Sequence, residues 1–83
     1  MSEKIFSVTS PLAGTFYRAP SPEEPAFAEV GQRVEVGQVL CIIESMKVFT
    51  ELRADVAGVV KNILVEDEDI VARNQKLMEI EMS

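Results

Sequence analysis

The sequence has no histidine and a single cysteine, Cys41. That excludes an internal disulfide, a zinc cage of cysteine and histidine, and a histidine-based catalytic triad. It holds 8 lysines and arginines against 14 aspartates and glutamates, a net charge of −6. Binding to the phosphate backbone is driven by cations that displace counterions, so nucleic acid is a poor partner and a protein or small ligand a better one. No run approaches the roughly 18 consecutive apolar residues of a membrane span, and Met1-Ser2-Glu3-Lys4 lacks the basic stretch and apolar core of a secretory signal. The expected address is the cytoplasm, off the membrane, or a plastid if the chain is cut from a longer precursor.

What is present fits one small soluble domain: 83 residues, 47% hydrophobic and 27% charged. Helical spacing is hard to find. Short runs of valine, isoleucine, leucine and phenylalanine bounded by glycine, proline and acidic residues recur instead, and they predict an all-β chain. Strands are expected at Phe6–Thr9, Gly14–Tyr17, Arg33–Val34, Val39–Glu44, Val48–Arg53, Gly58–Ile63, Asp69–Val71 and Leu77–Ile80, with a short tail over 1–6 and the domain over 7–83. Between Arg18 and Pro25, the prolines Pro20, Pro22 and Pro25 remove backbone donors and dictate a taut loop.

The two halves of the chain repeat each other. Gly37-Gln38-Val39-Leu40-Cys41-Ile42-Ile43-Glu44 parallels Asn74-Gln75-Lys76-Leu77-Met78-Glu79-Ile80-Glu81, and Val34 parallels Val71, all at a shift of 37 positions. Ala13-Gly14 matches Ala57-Gly58 at a shift of 44, so the first half carries seven extra residues, for which the proline-rich stretch is the obvious source. Two copies of this size, neither able to bury its apolar face alone, predict a flattened β-barrel or sandwich of two four-stranded units about a pseudo-twofold axis. Cys41 and Ile43 would pack as Met78 and Ile80 do. Two places break the scheme: Ile42 faces Glu79 in the alignment, and Leu40 and Leu77 are apolar where alternation calls for the outer face.

On this scheme Ser45-Met46-Lys47 joins one unit to the other in a tight hairpin with no glycine, asparagine or proline. For an isolated Met-Lys pair, a surface lysine beside an adaptable filler is the ordinary reading. Here, however, Glu44-Ser45-Met46-Lys47-Val48 resembles the Glu-Ala-Met-Lys-Met signature of biotinyl domains, and the family lysine falls on Lys47. Ser10-Pro11-Leu12-Ala13-Gly14-Thr15-Phe16-Tyr17-Arg18-Ala19-Pro20-Ser21-Pro22, Val30 to Val34 and Leu40 to Glu44 are similar to stretches of the biotin carboxyl carriers of bacterial and plastid acetyl-CoA carboxylase. The resemblance runs from about Ser7 to Glu81. The proline-rich insert is similar to the thumb loop of those carriers, here Ala19, Pro20, Ser21, Pro22, Glu23, Glu24 and Pro25. Lipoyl domains share the implied barrel-sandwich fold but usually set an aspartate before the lysine, where this chain has Met46.

The resemblance implies a carrier with no catalytic residues of its own. Biotin protein ligase would join biotin to Lys47 by an amide, activating an amine that is a poor nucleophile while protonated. Biotin carboxylase would load the biotin with carboxylate, and carboxyltransferase would pass it to acetyl-CoA, giving malonyl-CoA for fatty acid synthesis. Glu44, Ser45, Met46 and Val48 are the candidate ligase-recognition residues, and the thumb a candidate contact for biotin or the partner enzymes; Val48 also reads as a plain strand residue, and the thumb as a stiff connection. Ser45 stands where the family usually has alanine, and Val48 where it has methionine. These departures motivate one rival, an unmodified regulatory paralogue of the carrier; a second is a carrier for another biotin-dependent carboxylase or decarboxylase. The run Glu66-Asp67-Glu68-Asp69 reads as a solvated turn, lacking the spacing of a calcium loop, and Cys41 as a small buried hydrophobe.

Overall fold

The computed structural model describes residues 4–83; of the tail expected at 1–6, residues 1–3 lie outside the described residues. Eight strands follow: β1 (Ile5–Thr9), β2 (Gly14–Tyr17), β3 (Arg33–Val34), β4 (Val39–Ser45), β5 (Val48–Arg53), β6 (Gly58–Ile63), β7 (Ile70–Val71) and β8 (Lys76–Met82). They match the expected strands to within two residues, with Ile5 and Phe6 already paired in β1.

Two antiparallel four-stranded sheets form, in the orders β1-β8-β6-β3 (sheet A) and β5-β4-β2-β7 (sheet B). The repeat maps β1 onto β5, β2 onto β6, β3 onto β7 and β4 onto β8, which turns one sheet order into the other. Each sequence half therefore gives two strands to each sheet, so neither half is a sheet by itself. The turns obey the same mapping. Gly31 and Gly37 have φ of 89°, and their counterparts Glu68 and Asn74 have φ of 72° and 70°. The Gly37 and Asn74 amides donate to the carbonyls of Ala54 and Ser10 at 2.8 and 2.7 Å, again counterparts.

Interior packing accounts for Leu40 and Leu77. The β4–β5 register slips between Val39 and Cys41, and the β1–β8 register slips between Val8 and Thr9, where Met78 and Lys76 are the partners. A bulge interrupts the alternation of side chains. Leu40 and Cys41 can therefore both point inward, as can Leu77 and Met78, and all four are at most 1% exposed. Each bulged leucine crosses to the other sheet. Leu40, from sheet B, packs with Val60, Met78 and Ile80 of sheet A, while Leu77, from sheet A, packs with Phe16, Cys41 and Ile43 of sheet B. The break in alternation that the sequence shows at these two leucines is thus explained by the bulge.

Burial pushes the Cys41 thiol up to about 12. A thiol reagent at neutral pH should leave it untouched in the native protein and label it only as the domain unfolds. Because the folded value lies above that of the unfolded chain, there is no effect below pH 9; between pH 9 and about 12 the unfolded state ionises first, and stability should fall in that window.

Candidate functional site: the lysine hairpin

Strand β4 runs one residue further than expected, through Ser45, which pairs with Val48 of β5. The connection is therefore Met46-Lys47 alone, not Ser45-Met46-Lys47. Both residues have positive φ, 53° and 65°. A two-residue hairpin with both central residues left-handed is a type I′ turn, whose twist matches that of the flanking strands. Side chains other than glycine, asparagine and aspartate enter this conformation at a cost of roughly 1–2 kcal/mol per residue. Surrounding structure must hold the tip in place. The Lys47 amide donates to Oε2 of Glu44 at 2.9 Å, so the carboxylate beside the tip occupies a turn amide. Beneath β4, Gly14 admits the strand closely: a Cβ there would lie 2.5 Å from the Glu44 carbonyl oxygen and 2.9 Å from Cγ2 of Ile43. Gly58 makes the matching close approach to Glu81 and Ile80.

The tip presents its side chains to solvent. Met46 is 92% exposed and Val48 63%, and Lys47 is exposed, its side chain making no hydrogen bond or ion pair with any described residue. Ser45 is half-buried. All the motif residues thus converge on one hairpin, with Glu44 acting on the backbone and Lys47 free to react. Met46→Asn should relieve the turn and raise stability by about 0.5–1 kcal/mol, read from urea unfolding.

The proline-rich loop folds back over the outer face of sheet B. Phe27 donates its amide to the Arg18 carbonyl at 2.8 Å and closes the loop; the Arg18 amide donates to Oδ1 of Asp67 at 2.9 Å. Ser21 to Glu24 form a turn with Pro22 at its second position, where a fixed φ is favourable. A groove of about 230 Å³ opens beneath, with Pro20 and Pro22 among its walls, Tyr17, Ile42 and Phe49 as floor, and Asp67 and Glu68 at its edge. The Tyr17 and Phe49 rings lie 6.5 Å apart at 44°. Ala19 and Ser21 also line it, whereas Glu23, Glu24 and Pro25 do not. The sequence reading missed the floor; its signal was the mismatch of Ile42 with Glu79, an apolar residue on an outer face. In the acidic run, Asp69 accepts from the Glu66 amide at 2.8 Å, a turn contact like that of Gln32 with Glu29 in the other half.

A family model described as "Biotin-requiring enzyme" matches residues 7–80. The chain belongs to this biotin-requiring enzyme family. Among its relatives, the biotin carboxyl carrier protein of acetyl-CoA carboxylase from Nostoc is 51% identical over 80 residues, covering 96% of this chain and 44% of the relative. The protein of the same description from Haemophilus influenzae is 55% identical over 74 residues, covering 89% and 48%. The chain spans less than half the length of these family members. A solved single-chain, multi-domain long-chain acyl-CoA carboxylase superposes over the whole chain, and 8% of its own, with a TM-score of 0.83 at 22% identity, which shows a shared fold.

Proposed function

We propose that this chain is a biotin carboxyl carrier domain whose attachment residue is Lys47, serving an acetyl-CoA carboxylase. The observation that carries the reading is the hairpin: an exposed lysine at a two-residue type I′ tip, its side chain without a partner among the described residues and its amide bound by Glu44. The relatives' descriptions support the acetyl-CoA assignment, as does the thumb loop over sheet B.

The residues divide the work. Biotin, once attached, supplies the nitrogen that takes up and gives up carboxylate. Lys47 contributes its amine to the amide and then only the flexible length of its side chain. Glu44 holds the tip open for the ligase, and Met46 and Val48 give the ligase apolar contacts beside the amine. The rigid sheet then presents the arm to biotin carboxylase and carboxyltransferase in turn. A short tether raises the local concentration of biotin at each to the order of millimolar without a new contact in either site. The test is to biotinylate the chain with a biotin ligase, confirm one added biotin by intact mass, and supply biotin carboxylase, ATP and labelled bicarbonate. Label retained on the carrier supports the reading; a fully biotinylated chain that no carboxylase loads would overturn it.

A further inference from the structure

The pseudo-twofold axis gives each sheet an internal control. The outward row of sheet A runs Ile5, Glu81, Val59, Arg33, and the same row of sheet B runs Phe49, Glu44, Thr15, Ile70. One step along, sheet A pairs Glu79 with Asn62, joined by a 2.8 Å hydrogen bond, where sheet B pairs Ile42 with Tyr17. The outward rows share one backbone plan; one step along it departs, because β6–β8 slips between Val60 and Asn62 where β2–β4 runs straight, so the repeat counterpart of Tyr17 is Lys61 while that of Ile42 is Glu79. In sheet A Ile5 and Val59 are 38% and 37% exposed; in sheet B Phe49, part of the groove floor, is 63% exposed and Ile70, on the opposite edge strand, 78%. Folding does not require apolar side chains at Ile42 and Ile70, because their counterparts are Glu79 and Arg33; Phe49 has the apolar but less exposed counterpart Ile5.

Its border is acidic and strained. Glu68 lines the groove beside Asp67 with φ of 72°, at the place where the other half uses Gly31. A glutamate held left-handed costs free energy that glycine would not. Its carboxylate has no hydrogen bond or ion pair within the described residues. Strain kept at a surface position, for a side chain with no partner among the described residues, points to a contact outside the chain.

We infer that this face is a docking surface for a catalytic subunit that presents an apolar side chain flanked by lysine or arginine; the inference rests on the carrier reading. Acidic Asp67 and Glu68 beside exposed apolar carbon favour such a surface over a neutral or acidic one. Position favours a catalytic subunit over the ligase. Phe49 lies two residues from Lys47, so a partner seated on it has the arm within reach. Val48, by strand alternation, points to the other side of β5, so a ligase that reads Met46 and Val48 has no need of this face.

The test borrows residues from the other half. Ile70→Arg installs the residue of Arg33, and Glu68→Gly that of Gly31, each already accepted at the matching place in this fold. Both variants are biotinylated, checked by mass, and used as the varied substrate of biotin carboxylase and of carboxyltransferase. The expected result is wild-type biotinylation, a KM for the carrier raised about tenfold with at least one enzyme, and an unchanged kcat. For Glu68→Gly this loss should accompany an equal or higher Tm, which a merely structural residue would not show. An unchanged KM for both variants with both enzymes, or slower biotinylation alone, would overturn the docking surface. Failure of the wild-type carrier to be carboxylated would instead bring down the carrier reading, and this inference with it.

Discussion

Lys47→Ala is expected to abolish biotinylation, and a swap of the two tip residues, Met46→Lys with Lys47→Met, to slow it by about a hundredfold or more. Both are read by intact mass after timed reaction with a ligase and excess biotin. The first follows from chemistry: the other lysines lack the hairpin, so none offers its amine in the same frame. The second separates possession of a lysine from its placement. In the swap the amine remains at the tip, but it leaves the second left-handed position, whose amide is the one bound by Glu44. The ligase must bring an activated acyl carbon within bonding distance of one nitrogen, and an ångström-scale displacement is costly in such a reaction. Equal rates for the swap and the wild type would show that the tip is recognised only as a flexible lysine, and the role given to its geometry would fall.

Leu40→Ala should destabilise the domain by about 2–5 kcal/mol, as should Leu77→Ala. In a domain this small that lowers Tm by more than about 10 °C, measurable by calorimetry or as a fall in urea midpoint. Each leucine leaves its own sheet at a bulge and fills the interior of the other, so truncation opens a void where the two sheets are interlocked. Val39→Ala, in the same strand but only half-buried, is the comparison and should lose much less. If Leu40→Ala unfolded sheet B while sheet A stayed protected in hydrogen exchange, the reciprocal packing would not be what couples them.

Much of this was legible in the residues because strand patterning and repetition are local and periodic. Strand positions follow from apolar runs, and the pseudo-twofold from the shift of 37 that relates Glu44 to Glu81. Lys47 stood out because Glu44-Ser45-Met46-Lys47-Val48 resembles the biotinyl signature, in a hairpin where a Met-Lys pair is poor turn chemistry. What stayed hidden depends on register. Nothing in Val39-Leu40-Cys41 announces a bulge, since alternation fails only once the partner strand slips. The length of the tip, two residues rather than three, follows from the pairing of Ser45 with Val48, which no propensity specifies. The groove floor joins Tyr17, Ile42 and Phe49 from three strands, and only sheet order brings them together.

The first strand lies beside the last, with Ile5 opposite Glu81 and the two ends adjacent. This gives the domain a mechanical direction. Tension applied through both ends at once would peel β1 from β8 one pair after another, the weakest way to load a sheet. Tension through one end alone puts no such load on that seam. In a fusion, the domain should therefore survive pulling as a pendant and come apart as a link in a chain.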